Sequence, residues 1–204
     1  MAESAAVARS PVAPTPPVAI ENGWEVSARR SAADLRITDC TPLTKLLVLG
    51  PEGGVFGIPF GRAERDEEGV LVAGSGPGEW TLFGPPGTGE GLAGRAAAAL
   101  PPDEGAVFDL THGRAAMRIT GPAAAAALAR VCAVDLAGEV SPDGAAFRSS
   151  VAKVITDVVR DDVDGRLSYL MHCDRAFGQY LFDALLDAGA EFDIEVDGFA
   201  GPGI

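Results

Sequence analysis

Five residues, Asp161-Asp162-Val163-Asp164-Gly165, separate two apolar runs that read as strands, Phe147 to Arg160 and Arg166 to Cys173. So short a connection returns the chain antiparallel, because parallel strands need a crossover of roughly a dozen residues or more. A doubly wound parallel sheet is thereby excluded, although helix and strand signals alternate along the chain. The expected class is α+β: two related halves with antiparallel sheets flanked by two or three helices.

Other elements are legible around this hairpin. Leu46-Leu47-Val48-Leu49 reads as a buried strand closed by Gly50-Pro51. Val70-Leu71-Val72 and Glu79-Trp80-Thr81-Leu82-Phe83 read as two more strands, split by Gly74-Ser75-Gly76-Pro77-Gly78. Leu92 to Leu100 is Ala-rich and helical, and Pro101-Pro102 stops it. Pro122 suits the first turn of a helix running to about Val131, where its missing N–H costs nothing. Asp174 is placed to cap the last helix. Phe177, Tyr180, Leu181, Ala184, Leu185 and Ala188 keep helical spacing, and Gly189 ends it. Phe192, Ile194 and Val196 then alternate as a closing strand.

A repeat links the halves. Asp39-Cys40-Thr41 precedes Lys45, an apolar strand and Gly50-Pro51; Asp109-Leu110-Thr111 precedes Arg114, a strand and Gly121-Pro122. This is either a pair of similar β-turn-β units or a duplicated α+β unit divided near Pro101-Pro102. The expected organisation is a disordered Ala/Pro-rich tail over 1–21, an N-terminal half over 22–100, a C-terminal half over 101–197 and a frayed end over 198–204.

The chain has 204 residues, 47% of them hydrophobic, so a sizeable core can form, and its formal charge is −13. Such a surface repels phosphate backbones and anionic membranes, so neither nucleic acid nor membrane is expected as a partner. Cys40, Cys132 and Cys173 are odd in number and form no CxxC, which fits a reducing compartment. The Ala/Pro-rich start lacks the basic and apolar regions of a signal peptide, and no apolar run reaches the ~20 residues of a membrane helix. Cytoplasmic location is expected.

Several residue groups invite chemistry. Gly84-Pro85-Pro86-Gly87-Thr88-Gly89-Glu90-Gly91 has the outline of a phosphate-binding loop. Glu90 and Gly91, however, stand where that loop needs a lysine and a hydroxyl, so it reads as a glycine-rich connection. Asp109, Thr111, His112 and Arg114 either line a ligand pocket or partner surface, or cap a turn through backbone hydrogen bonds. His172 and Cys173 are adjacent on a strand and point to opposite faces, which argues against a thiolate pair. Two histidines and scattered acids give no metal-ligand spacing. Asp135 follows an Ala-rich helix, where a carboxylate is disfavoured, so it is either a functional acid or a loop-turning residue. Trp80, Arg114, Arg148 and Arg175 are of the types enriched at interface hot spots; the plainer reading makes Trp80 core and the arginines local ion pairs.

The order of these features resembles one family. Leu46-Val48-Gly50, Gly76-Pro77-Gly78-Glu79-Trp80-Thr81-Leu82, Asp109 to Arg114, Cys132 with Asp135-Leu136, Arg148 and Arg175-Phe177 are similar, in sequence order, to segments of the sarcosine oxidase gamma subunits. Those are in turn similar to the folate-binding domain of aminomethyltransferases. The resemblance implies an aminomethyltransferase folate-binding-domain-like fold and a non-catalytic gamma subunit of a heterotetrameric flavoprotein. That complex oxidatively demethylates N-methyl amino acids with tetrahydrofolate as one-carbon acceptor. It implies three partners: a large folate- and NAD-binding alpha subunit, a flavin-bearing beta subunit and a small delta subunit. FAD, FMN, NAD and tetrahydrofolate would sit on those partners, and none on this chain. The more distant resemblance implies an alternative, a stand-alone tetrahydrofolate-dependent one-carbon transferase using Asp135, or a folate-binding or scaffold protein without catalysis. In this chain Val134 replaces the Asn beside that acid. Across Ser149 to Asp157 only Asp157 survives of a pair of acids.

Overall fold

A computed structural model describes residues 6–52 and 56–200. Strands β1 (Ala8–Arg9), β2 (Val18–Glu21) and β3 (Trp24–Ser27) form a small sheet ordered β1-β3-β2. Next come β4 (Arg36–Asp39), β5 (Thr44–Leu49), β6 (Ala63–Arg65), β7 (Leu71–Gly76) and β8 (Glu79–Gly84), then helix α1 (Gly89–Ala99). β9 (Ala106–Asp109) and β10 (Arg114–Thr120) precede α2 (Ala124–Ala129). β11 (Ala146–Val151), β12 (Val154–Arg160) and β13 (Ser168–Asp174) lead into α3 (Gly178–Gly189), and β14 (Glu195–Asp197) closes the order.

Two large sheets result, ordered β6-β7-β8-β5-β9 and β11-β12-β13-β10-β4-β14. Their pairings are antiparallel except for β14 on β4; the expected hairpin is β12–β13, with Val163 and Arg166 bridging its turn. The sheets pack face to face through Leu71, Ala73 and Phe83 on one side and Ala116, Val159 and Leu170 on the other. Helix α1 covers the far side of the five-stranded sheet, placing Leu92 and Ala96 on Leu46, Val48, Trp80 and Leu82. Helices α2 and α3 cover the other, with Leu128, Leu181 and Leu185 on Ile37, Met117 and Met171. Each such Leu, Ile, Val, Phe or Met side chain contributes about 1.5–3 kcal/mol of burial, which binds four layers into one unit.

The halves are related, but not as separate blocks. Strand for strand, β6-β7-β8-β5-β9 matches β11-β12-β13-β10-β4. The outer member of each set comes from the other half: β4 lies in the second sheet and β9 in the first. A boundary near Pro101-Pro102 separates the halves in sequence but not in space.

Three expectations change. The stretch 1–21 is not a disordered tail where it is described: β1 and β2 pair with β3, Val12 is buried, and the Ala13 N–H donates to Gln179 Oε1 at 2.7 Å. The Asn22-Gly23 turn, both residues at positive φ, makes β2 and β3 a hairpin. Phe147 to Arg160 is two strands rather than one, turned at Ala152 and Lys153, which adopt φ of 47° and 68°. Positive φ is uncommon for such residues, so nothing there announced a turn. Phe199 is buried rather than frayed, while 201–204 lie outside the described residues.

Candidate functional site

The chain passes from one sheet to the other twice, at Cys40–Leu43 between β4 and β5 and at Leu110–Gly113 between β9 and β10. Both crossings begin alike. The Asp39 carboxylate accepts the Thr41 N–H at 3.0 Å, and the Asp109 carboxylate accepts the Thr111 N–H at 2.8 Å. The freed hydroxyls then reach across the repeat. Thr41 Oγ1 accepts the Ala116 N–H at 3.1 Å, and Thr111 Oγ1 accepts the Lys45 N–H at 3.1 Å. The backbone repeats the exchange, Cys40 N–H to Ala116 O and Leu110 N–H to Lys45 O, each at 2.8 Å. Lys45 therefore stands where Ala116 stands in the other half, not where Arg114 stands. The residue by which the two copies differ lies in the second crossing.

Lys45 is buried to 1% exposure, and its Nζ donates to the carbonyls of Thr41 and Leu43, both at 2.7 Å. Burial pulls its ammonium down to about 7, against the attraction of the Asp39 and Asp109 carboxylates. Burial likewise raises the Asp39 carboxyl above its usual range, opposed by hydrogen bonds from Ser10 and Thr41, and pushes the Cys40 thiol up to about 12.

The structure gathers Asp109, Thr111, His112, Arg114 and Arg175 around the second crossing. Thr111 is buried and structural. His112 is exposed and stacks on Trp24, ring centroids 5.0 Å apart and 13° from parallel. The Arg175 guanidinium donates to the carbonyls of His112 and Arg9, and its N–H to Gly113 O. Trp80 leaves the set of interface candidates: it is 3% exposed and its Nε1 donates to Ile58 O at 2.9 Å. It is a core residue because alternate positions of β8 face α1.

Arg148 lies apart from the crossing and heads a chain of polar contacts running inward. Its guanidinium bonds Glu79 at 2.8 Å and Asp157 at 2.6 Å, and the other Asp157 oxygen is 3.5 Å from His172 Nε2. His172 is buried edge-on to Phe83, and burial pulls its imidazole down to about 4, so it is neutral at pH 7. Cys173 faces away, buried, with its thiol pushed up to about 11 by burial. Neither a thiolate nor an imidazolium is available there at neutral pH. A second inward group, Arg118, donates to Asp161 at 2.6 Å and to Ser168 Oγ at 2.8 Å, while Arg65 takes the same Asp161 oxygen. These networks were invisible in sequence because their members come from strands far apart along the chain. The one available signal was an ionisable residue at an apolar phase of β5, β10 or β13.

Asp135 is exposed, and its carboxylate accepts the Ala137 N–H at 2.9 Å while its carbonyl accepts from Ser141 Oγ. It turns the chain. A pterin needs polar groups free to satisfy its donors and acceptors. Asp157 is bonded to Arg148 and is not free for a folate ring, whereas the exposed Asp135 spends one acceptor on its own turn. Among the described residues no group of three or more His, Cys, Asp or Glu is arranged to hold a metal ion.

No family model matches the chain. It is 30% identical over 138 residues to sarcosine oxidase subunit gamma of Arthrobacter sp., spanning 67% of this chain and 66% of that protein. It is 30% identical over 128 residues to the subunit gamma of Corynebacterium sp. (strain P-1), spanning 63% and 61%. The chain thus matches somewhat under two thirds of the length of these curated relatives. In structure it is similar to a chain of the heterotetrameric sarcosine oxidase from Corynebacterium sp. U-96 in complex with pyrrole 2-carboxylate. There the TM-score is 0.67 and the identity 22%, covering 81% of this chain and 89% of that one. It is also similar to the glycine cleavage system aminomethyltransferase T from Bartonella henselae, with a TM-score of 0.70 and 16% identity, over 91% and 56%. The structural matches establish the fold, α+β and aminomethyltransferase-like, and in sequence the chain is similar to sarcosine oxidase gamma subunits.

Proposed function

We propose that this chain is a non-catalytic gamma subunit of a heterotetrameric, sarcosine-oxidase-like flavoprotein that oxidatively demethylates N-methyl amino acids, passing the one-carbon unit to tetrahydrofolate. The observation that carries this reading is the 30% identity to two curated gamma subunits. The state of the chain's own polar groups supports it. The buried thiols of Cys40 and Cys173 are held protonated, His172 is neutral and enclosed, and Asp135 and Asp157 are engaged in the fold. In this reading the alpha, beta and delta subunits are the partners and carry FAD, FMN, NAD and folate. The complex works in the cytoplasm. Among the described residues no helix is long and apolar enough to cross a membrane.

Calorimetric titration of the lone chain with tetrahydrofolate tests the division of labour. No binding heat is expected, for the chain as it stands or with Asp135→Asn. Tight binding that Asp135→Asn abolishes would instead establish the one-carbon transferase reading.

A further inference from the structure

The internal repeat shows an edge that is covered in one half and bare in the other. With Lys45 matched to Ala116, Val107 corresponds to Ile37, Phe108 to Thr38 and Leu49 to Thr120. Beyond β4 the six-stranded sheet continues into β14, which runs parallel with Val196 opposite Ile37, and the Glu195 N–H donates to Leu35 O at 3.1 Å. Beyond β9, the corresponding strand, no strand follows among the described residues.

The bare edge is built for cover in three respects. Leu110 donates its N–H to Lys45, so residues in its phase, Phe108 and Ala106, turn their main chain toward β5, while Val107 and Asp109 turn theirs outward. Phe108 and Leu49 lie on the same sheet face and are 46% and 37% exposed. Their counterparts beside the covered edge, Thr38 and Thr120, are polar. An unpaired strand edge beside exposed apolar groups is a template for another strand; this short one has no lysine, proline or bulge, and its one charge, on Asp109, is anionic and so admits a cationic strand. Finally, Pro101 to Gly113 carries Asp103, Glu104 and Asp109 and no Lys or Arg.

We propose that the outer edge of β9 receives an extended, cationic segment of a partner subunit, added parallel to β9 as β14 is added to β4. This rests on the gamma-subunit reading. Main-chain hydrogen bonds from Val107 and Asp109 supply the attachment, and an apolar side chain over Phe108 supplies the register. A second copy of this chain is disfavoured as occupant, because pairing two β9 edges would bring both sets of acids together.

The test is co-expression of the chain, tagged, with the other subunits of a heterotetrameric sarcosine oxidase. Phe108→Asp is compared with Val140→Asp, a substitution at a 61% exposed position outside the edge. The wild type and Val140→Asp chains are expected to recover the complex, and Phe108→Asp to reduce recovery by about tenfold or more, as loss of an interface anchor does. In case Phe108→Asp disturbs folding, hydrogen exchange on the wild type reads the same claim. The Val107 and Asp109 amides should slow on assembly by about tenfold or more, as amides newly taken into a sheet do. Failure of the wild type to assemble would overturn the gamma-subunit reading and this proposal with it. Assembly with unchanged exchange at Val107 and Asp109 would overturn the proposal and leave the reading standing. A lone chain that sediments as a dimer, and as a monomer with Phe108→Asp, would assign the edge to a second copy and overturn the partner-subunit occupant.

Discussion

Thr41 and Thr111 are counterparts that brace each other's half: each hydroxyl accepts, at 3.1 Å, a main-chain N–H from the first, turn-proximal residues of the other half's inner strand. Both N–H groups are buried, so loss of either hydroxyl leaves a donor without a partner. Thr41→Val and Thr111→Val keep the side-chain shape and should each cost about 1–3 kcal/mol in urea unfolding. A negligible cost at both positions would show that the crossings are not held this way.

Lys45 gives the fold a pH dependence of determined sign. The unfolded chain holds this proton up to the ordinary value of 10.5, and the folded chain releases it above about 7. Between those values the unfolded state binds more protons, so stability rises with pH; below about 7 both states are charged and the cost of burial is constant. The stability of the wild type relative to Lys45→Met should therefore climb between pH 7 and pH 10 in urea titrations. A flat difference would mean that the ammonium is solvated.

The arginines divide into two kinds. Arg148 is bound to the buried carboxylate of Asp157, so Arg148→Glu sets like charges together and should destabilise the isolated chain by about 1–3 kcal/mol, discounted for the half-exposed guanidinium. The Arg114 side chain has no hydrogen bond or ion pair among the described residues, and Arg114→Glu should leave the melting temperature within about 1 °C, as surface substitutions do. Thermal melts of the two variants separate these roles. Only Arg114→Glu then reports cleanly on assembly.

Much of the fold was legible because its signals are local. The short Asp161–Gly165 connection dictated an antiparallel sheet, the spacing from Phe177 to Ala188 dictated α3, and the repeated Asp-x-Thr and Gly-Pro pairs announced two related halves. Asn22-Gly23 carried a hairpin signal that the surrounding prolines masked. The Ala152-Lys153 turn carried none, since its positive φ values are imposed by the sheet. The exchange of β4 and β9 was illegible, because pairing partners are chosen by tertiary packing and not by a strand's own residues. The candidate surface fared similarly. The crossing cluster from Asp109 to Arg114, with Arg175, does come together. Trp80 proved to be core, and Phe108, whose exposure depends on β9 lying at an edge, gave no sign in sequence.

The central claim is that this chain functions as one subunit of a larger flavoprotein. Native mass spectrometry of the chain co-expressed with the alpha, beta and delta subunits tests it most directly. The account predicts a single assembly that retains flavin and contains one copy of this 20.8 kDa chain. Recovery of a flavin-bearing assembly of the other three, with this chain free in solution, would contradict it.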